Sequence, residues 1–529
     1  MANNPFTLPP DYWSHFTLSK ADLEFLSNYL FEKETPLTEK ELVPVLVAER
    51  IRREREALTA RQRGGSRVYL PAETYKVGES LIFPTLDWQK GNVTRVRPGK
   101  NPEVGSFEVI EVEFSDGQKR EFAAGLAEHA LNHPPEVEVD DELLIPEKVL
   151  ERYGAALEAA LLNGLQQDQT LVRIAGRWFP RSLLVDVNVG HLNLAEAVLD
   201  EKKGGPLPTA ALIEQVELPA GVNPKLLEFS MNYALQEDER FDEVGPAGEV
   251  LWFLRRLEPL DVQQIPPSLR YIEIPYDRSV LTKEMLALEA SLGDELSVEV
   301  KVPSPGPEVT IALSYPHWRA GTLPISARTR SLFPTAYESP RVRFTLVDAH
   351  SKDEMPGWVV RQHGYVAGVG ALYQKYGAMP GSLITLRRGP KPGQVVVEVR
   401  TRRPLRDWVR TVLVGSDGGI VFATLKQNLT TEFNERMIIV VPDVNGVDAA
   451  TEQITKQHLP FEKLVGNMMQ ELSKLNVQGH VHALELYSAL NVIRRCPPGP
   501  LLAFLAQTSG YKHVGDLHYR IASAEAEDE

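Results

Sequence analysis

Apolar positions recur three and four residues apart in KADLEFLSNYLFEK (20–33), LNLAEAVLDEKK (192–203) and FEKLVGNMMQELSKL (461–475). Each spacing predicts an amphipathic helix. A short turn follows each, then two apolar positions five apart: Leu37 and Leu42, Leu207 and Leu212, Val481 and Leu486. Thr38 and Glu41 form a T-x-x-E capping box that starts the next helix. The second and third copies continue to the same aromatic-x-x-V-G step, Phe241–Val244–Gly245 and Tyr511–Val514–Gly515, and then to strand-like EVLWFL and LHYRIA. That order predicts a helix–turn–helix closed by an antiparallel wing. In the second copy, Leu194, Val198, Leu212, Phe229, Tyr233, Phe241 and Trp252 are expected to face the core.

Between these helical copies the period shortens to that of strands. Turn signals at QKGN, PGKNP and SDGQ alternate with runs such as FEVIEVEF, which predicts a small five-stranded barrel of SH3 or Tudor outline over 74–130. Further on, RVRFTLVD, GWVVRQ, GSLITLRRG and GQVVVEVR read as strands, interrupted by one short helix, GVGALYQKYG, with Leu372, Tyr373 and Tyr376 on one face.

The chain has 529 residues, more than one core accommodates, and 43% hydrophobic with 24% charged residues is a globular composition. A single cysteine, Cys496, excludes an internal disulfide and fits a reducing, cytoplasmic setting. Neither a secretory leader nor an apolar run of membrane length is present, so no membrane partner is expected.

Charge changes the picture most. The chain carries −15, yet His317 to Arg410 holds sixteen basic and six acidic residues, net +10, leaving −25 for the remainder. Thirteen of the sixteen are arginine, which forks onto phosphates and guanine edges. Duplex DNA is therefore the expected partner. The copies differ in charge: the segment after the first, with Arg52 and Arg53 among its arginines, is net +4 and able to meet phosphate. The second, Asp186 to Leu257, is −7, and the third, Lys456 to Arg520, is +3 with Arg494 and Arg495 near its end. The second is expected to dock protein, RNA polymerase or another cytoplasmic protein, through Glu237, Asp238 and Glu239.

The order G-x-L-P-I-S, FP, two strands, a short helix, PGSLITLRR and VVVEVR resembles the DNA-binding pseudobarrel of plant transcription factors and restriction-endonuclease effector domains, over roughly ninety residues. The resemblance implies two arms gripping the major groove: Arg319, Arg328 and Arg330 in the first, Arg361 and His363 in the second. Arg387, Arg388, Lys391, Arg402 and Arg403 are expected to add contacts. The second copy, with its D-E-R-F-x-x-V-G portion, resembles winged helices of the HARE-HTH class, found in RNA polymerase delta subunits, chromatin regulators and restriction systems.

The expected fold class is thus α+β and multidomain. Its order is a winged helix at 15–73, the small β-barrel at 74–130, a linker region of helix and β structure at 131–185, an acidic winged helix at 186–258, and a connecting region at 259–314. A basic β pseudobarrel at 315–455, a third winged helix at 456–522 and an acidic tail at 523–529 complete it.

No Walker loop, G-x-S-x-G elbow or H-E-x-x-H motif occurs. His480 and His482 read as helix-start residues, and the acidic run Glu136 to Glu142 as the head of a helix, where negative charge is favourable. Asp417 and Lys426 are the nearest approach to a nuclease site but lack the second acid. The expectation is a DNA-binding regulator of transcription or defence, with no catalytic residue, cofactor or metal. An interaction scaffold and a nuclease subunit are the competing classes.

Overall fold

The computed structural model describes residues 8–9, 11–63, 67–86, 89–100, 106–114, 117–132, 142–216, 218–219, 221–298, 306–416 and 418–522, with side chains 58–63 and 84 not among them. The acidic run before Glu142, Asp417 and the tail at 523–529 lie outside the described residues. The fold is α+β, in two compact units, 1–184 and 185–529.

In the first unit, α1 (Lys20–Lys33) begins at Ser19, whose hydroxyl accepts from the Asp22 amide while Asp22 accepts from the Ser19 amide in return. Strand β1 (Leu37–Thr38) leads into α2 (Glu39–Arg63), and the capping box is formed: Thr38 N donates to Glu41 Oε2 at 2.8 Å. The five-stranded sheet β2 (Arg67–Val68), β3 (Ser80–Phe83), β4 (Gln89–Pro98), β5 (Glu108–Phe114) and β6 (Lys119–Ala124) follows in sequential order, with the rings of Tyr69, Phe83, Phe114 and Phe122 in mutual contact.

Helix α3 (Pro146–Leu165) and the hairpin β7 (Leu171–Ile174) and β8 (Arg177–Pro180) come next. Here the expected linker at 131–185 needs correction. Strand β1 pairs with β8, Leu37 opposite Trp178, giving a sheet of order β1-β8-β7. Residues 146–180 therefore complete the first copy, and the small sheet is an insertion between its second and third helices. Insertion is tolerable because loop-closure entropy grows only logarithmically with length. Trp178 fixes the closure, its indole N–H donating to Glu39 Oε1 at 2.9 Å.

The second unit opens with the second copy: α4 (Val189–Glu201), β9 (Leu207–Pro208), α5 (Thr209–Ile213), α6 (Pro224–Glu237), β10 (Phe241–Glu243) and β11 (Leu251–Leu254), with sheet order β10-β11-β9. Leu212, Phe229, Phe241 and Trp252 are buried, and Val198 packs partly against them. Leu194 is 49% exposed, against expectation. Leu192, Ala195 and Leu199 hold the inner face of α4, at spacings of three and four, and Leu194 lies off that stripe.

After α7 (Leu260–Gln263) and α8 (Lys283–Leu292) come β12 (Glu308–Ala312), α9 (Tyr315–Ala320), β13 (Thr322–Pro324), β14 (Arg341–Asp348), β15 (Glu354–Val360), β16 (Tyr365–Ala367), α10 (Gly370–Tyr376), β17 (Leu383–Arg388) and β18 (Gln394–Val399). The strands make one seven-stranded sheet, β12-β17-β18-β14-β15-β16-β13, in which only β14 and β18 pair in parallel. A long two-stranded ribbon, β19 (Thr401–Val414) and β20 (Ile420–Thr431), leaves this sheet. Helix α11 (Val444–Lys456) then leads to the third copy: α12 (Phe461–Ser473), β21 (Val481–His482), α13 (Ala483–Ile493), α14 (Pro498–Gln507), β22 (Tyr511–Gly515) and β23 (His518–Ile521), with sheet order β21-β23-β22. All three copies thus share helix, strand, helix, helix, hairpin, with the last or inner hairpin strand central.

Candidate nucleic-acid interface

Which cations remain available depends on what the fold has already consumed. Arg319, on α9, holds Asp448 of α11 with Nη2 at 2.6 Å from Oδ2. Arg328 turns inward, donating to the carbonyls of Ser291 at 2.5 Å and Thr310 at 3.0 Å, and burial lowers its pKa. Arg361 donates to the Ser339 carbonyl at 2.7 Å and Arg388 to that of Ser331 at 2.7 Å. Exposed Arg330 is also engaged, and the His363 ring stacks on Tyr365 at 6.3 Å. Arg387 is half-buried and Lys391 stands exposed in its turn. The two expected arms are therefore made largely of side chains that brace loops of the sheet.

The helical copies are similarly occupied. The second copy's hairpin lies along the large sheet: Arg343 N donates to Val244 O at 2.8 Å, and Val244, Phe253, Trp358 and Tyr365 share one apolar cluster. Arg341 closes the edge, bonded to Asp242 and 3.4 Å from Glu258. Burial there pushes the Glu243 carboxyl up to about 8. Within the acidic trio, Glu237 and Glu239 are exposed, whereas Asp238 is tied to Arg240 at 2.7 Å.

In the third copy every residue of α13 except Glu485 is buried, and α14 packs so closely that a Cβ at Gly499 would sit 2.4 Å from the Tyr276 hydroxyl. Arg495, read from sequence as part of a basic end, is 1% exposed and bridges Asp294 at 2.6 Å and Glu295 at 2.8 Å. His317 Nε2 lies 2.9 Å from the other Glu295 oxygen. Burial, then the Arg436 charge, holds His482 down at about 4, and its Nδ1 caps the start of α13 by accepting from Leu484 N. In the first unit Arg52 bonds Glu49 and Glu56 and Arg53 bonds Glu49 and Asp22, so these two pair along and across helices.

The ribbon is different. Its inner half is core: Val412, Ile420 and Phe422 are buried, and Arg410, its pKa lowered by burial, bonds Glu485 at 2.6 Å. Its outer half, at the end joined to the seven-stranded sheet, buries Leu429 and Thr431 of β20 but is exposed along β19. Residues 401–408 are all exposed, a run that includes Arg402, Arg403 and Arg406, and Lys426 stands exposed on the opposite strand. Asp407 is the one acid in 401–408 and 424–431. Arg402 sits over the Phe433 ring at 5.5 Å. Among the described residues, no ion pair engages Arg403, Arg406 or Lys426.

Register brings these groups together. Trp408 is opposite Lys426 and Arg406 opposite Asn428, so Arg406, Trp408, Lys426, Asn428 and Thr424 share one face. Val409 and Leu429 take the other face into a small apolar cluster with Ile438. A ribbon of two strands is one of the shapes a major groove admits. Sequence reading named Arg402 and Arg403 but missed Arg406, Lys426 and Trp408 as site residues. The alternation in RRPLRDW followed by LKQN was the available signal.

Among the described residues no helix is long and apolar enough to cross a membrane. Comparison with protein-family models, curated proteins and solved structures yields no match for this chain.

Proposed function

We propose that this chain is a cytoplasmic, non-catalytic DNA-binding protein whose principal contact is the outer half of the 401–431 ribbon. On this reading the three copies are winged helices of the HARE-HTH type, and the seven-stranded sheet with α9 and α10 is a DNA-binding pseudobarrel carrying the ribbon. The shared element order and hairpin arrangement support the first assignment, and the strand count with two short helices supports the second. One observation carries the function: four exposed cations against one acid, gathered at 401–408 and Lys426, within a chain of net −15. Such a surface gains affinity by displacing counterions from phosphate. The second and third copies act as scaffold, with the exposed Glu237 and Glu239 edge left for a protein partner.

The test is duplex binding by the full chain over a salt series. With three to four phosphate contacts, affinity should fall roughly fiftyfold or more between about 50 and 200 mM salt. A variant carrying Arg402→Gln, Arg403→Gln, Arg406→Gln and Lys426→Gln should lose most of that dependence while its melting temperature stays put. Unchanged binding by this variant would remove the ribbon from the interface.

A further inference from the structure

Trp408 is 63% exposed, whereas Trp13, Trp178, Trp252 and Trp358 are buried and Trp318 packs against the core with its N–H on the Ala378 carbonyl. The ribbon's own apolar cluster lies on the opposite face, under Val409 and Leu429, so the indole contributes nothing to it. A single exposed apolar ring is ordinary on a protein surface, so what this one can bind is decided by the groups that flank it. Its neighbours say which partner. Lys426 stands directly across the ladder, about 5 Å away in strand spacing, and Arg406 about 7 Å along the same face. Both are exposed cations. An indole flanked by cations on two sides matches a nucleotide, whose base offers a flat π face and whose phosphates offer charge. The indole has no acceptor and one donor, so it is ill suited to reading base-pair edges and well suited to stacking.

We propose that Trp408 stacks on an unpaired base, with Arg406 and Lys426 holding the phosphates on either side of it. The preferred ligand is then a nucleic acid with at least one base outside a helix, such as a bulge, a junction or a single strand. This rests on the ribbon being the nucleic-acid contact, and it sharpens that reading by naming the form of the ligand.

The full chain is titrated at low salt against four labelled probes: a perfect duplex, the same duplex with one central bulged base, the corresponding single-stranded DNA, and the matching single-stranded RNA. Trp408→Ala should weaken the bulged and single-stranded probes by about 5- to 150-fold, the range of base–aromatic stacking, and the perfect duplex by less than about twofold. Trp408→Phe should restore most of the loss, and an abasic residue at the bulge should abolish the difference between wild type and Trp408→Ala. The DNA and RNA arms show which strand is the better source of the base. Equal losses on duplex and bulge, or no loss on either, would overturn stacking while leaving the ribbon's salt-dependent duplex binding intact. Absence of binding to all four probes would overturn both readings. A change in oligomeric mass by light scattering in Trp408→Ala, with nucleic-acid binding untouched, would reassign the ring to a protein contact.

Discussion

The arginines of the seven-stranded sheet and those of the ribbon come from one basic stretch and do opposite things. Arg319, Arg328, Arg361 and Arg388 each end on a carboxylate or carbonyl of their own unit, so their charge is spent on closing loops. Arg403 and Arg406 end in solvent. The same contrast runs within the ribbon: Arg410 is buried on Glu485, and four residues further out the chain is exposed on both faces. Local charge density therefore locates a basic region, but the count of partners decides which part of it can meet a polyanion. Net +10 overstates the charge left free to meet a partner.

The contrast is broken most severely at the buried end. Arg495→Ala would leave Asp294 and Glu295 buried without their counter-charge and is expected to destabilise the fold by about 3–5 kcal/mol, measured by urea unfolding. An unchanged midpoint would mean that water reaches this cluster. Arg410→Ala should cost about 1.5–3 kcal/mol, the range for a hydrogen bond to a charged group, while Arg406→Ala should leave the midpoint alone and reduce nucleic-acid binding. Equal stability losses in the two would erase the distinction between inner and outer ribbon.

The junction between the second copy's hairpin and the sheet can be probed by pH. Glu243, raised to about 8 from an ordinary 4.5, binds its proton more tightly in the folded than in the unfolded chain. Its contribution is complete below about pH 4.5 and is lost as pH rises through about 8. Glu243→Gln should therefore flatten the fall in stability between pH 5 and 8, read as urea midpoints at several pH values. His482 has the reverse sign. Held at about 4 against an ordinary 6.5, it favours the fold above pH 6.5 and loses that contribution as pH falls toward 4.

Two smaller effects sharpen the comparison further. Arg319→Ala removes a half-exposed ion pair and should cost no more than about 1 kcal/mol, with duplex affinity unchanged. Arg403→Gln should leave stability unchanged and lower the slope of log affinity against log salt by about 0.9, the value of one phosphate contact. If Arg319→Ala shifted the slope and Arg403→Gln did not, the interface would belong to the sheet's loops after all.

Much of the fold was legible because its signals are local. The Thr38–Glu41 box, the inward Phe241 and Trp252, and the strand runs of the large sheet each follow from spacing within a few residues. Leu194 was misplaced because α4 buries a narrow stripe, and a leucine beside that stripe has the same local pattern as one on it. The first copy was cut short because its closing strand lies about 140 residues downstream, opposite Leu37, and nothing near either strand announces the other.

The candidate site divides in the same way. Sequence alone determined that positive charge gathers between His317 and Arg410 and that strands carry it, since both are properties of neighbouring residues. Only the tertiary structure decided which arginines are available, because their partners come from far along the chain: Asp448 for Arg319, the Ser291 carbonyl for Arg328, Glu485 for Arg410. A side chain's charge is fixed by its covalent structure, but whether that charge is already neutralised depends on packing that brings distant groups within hydrogen-bond reach.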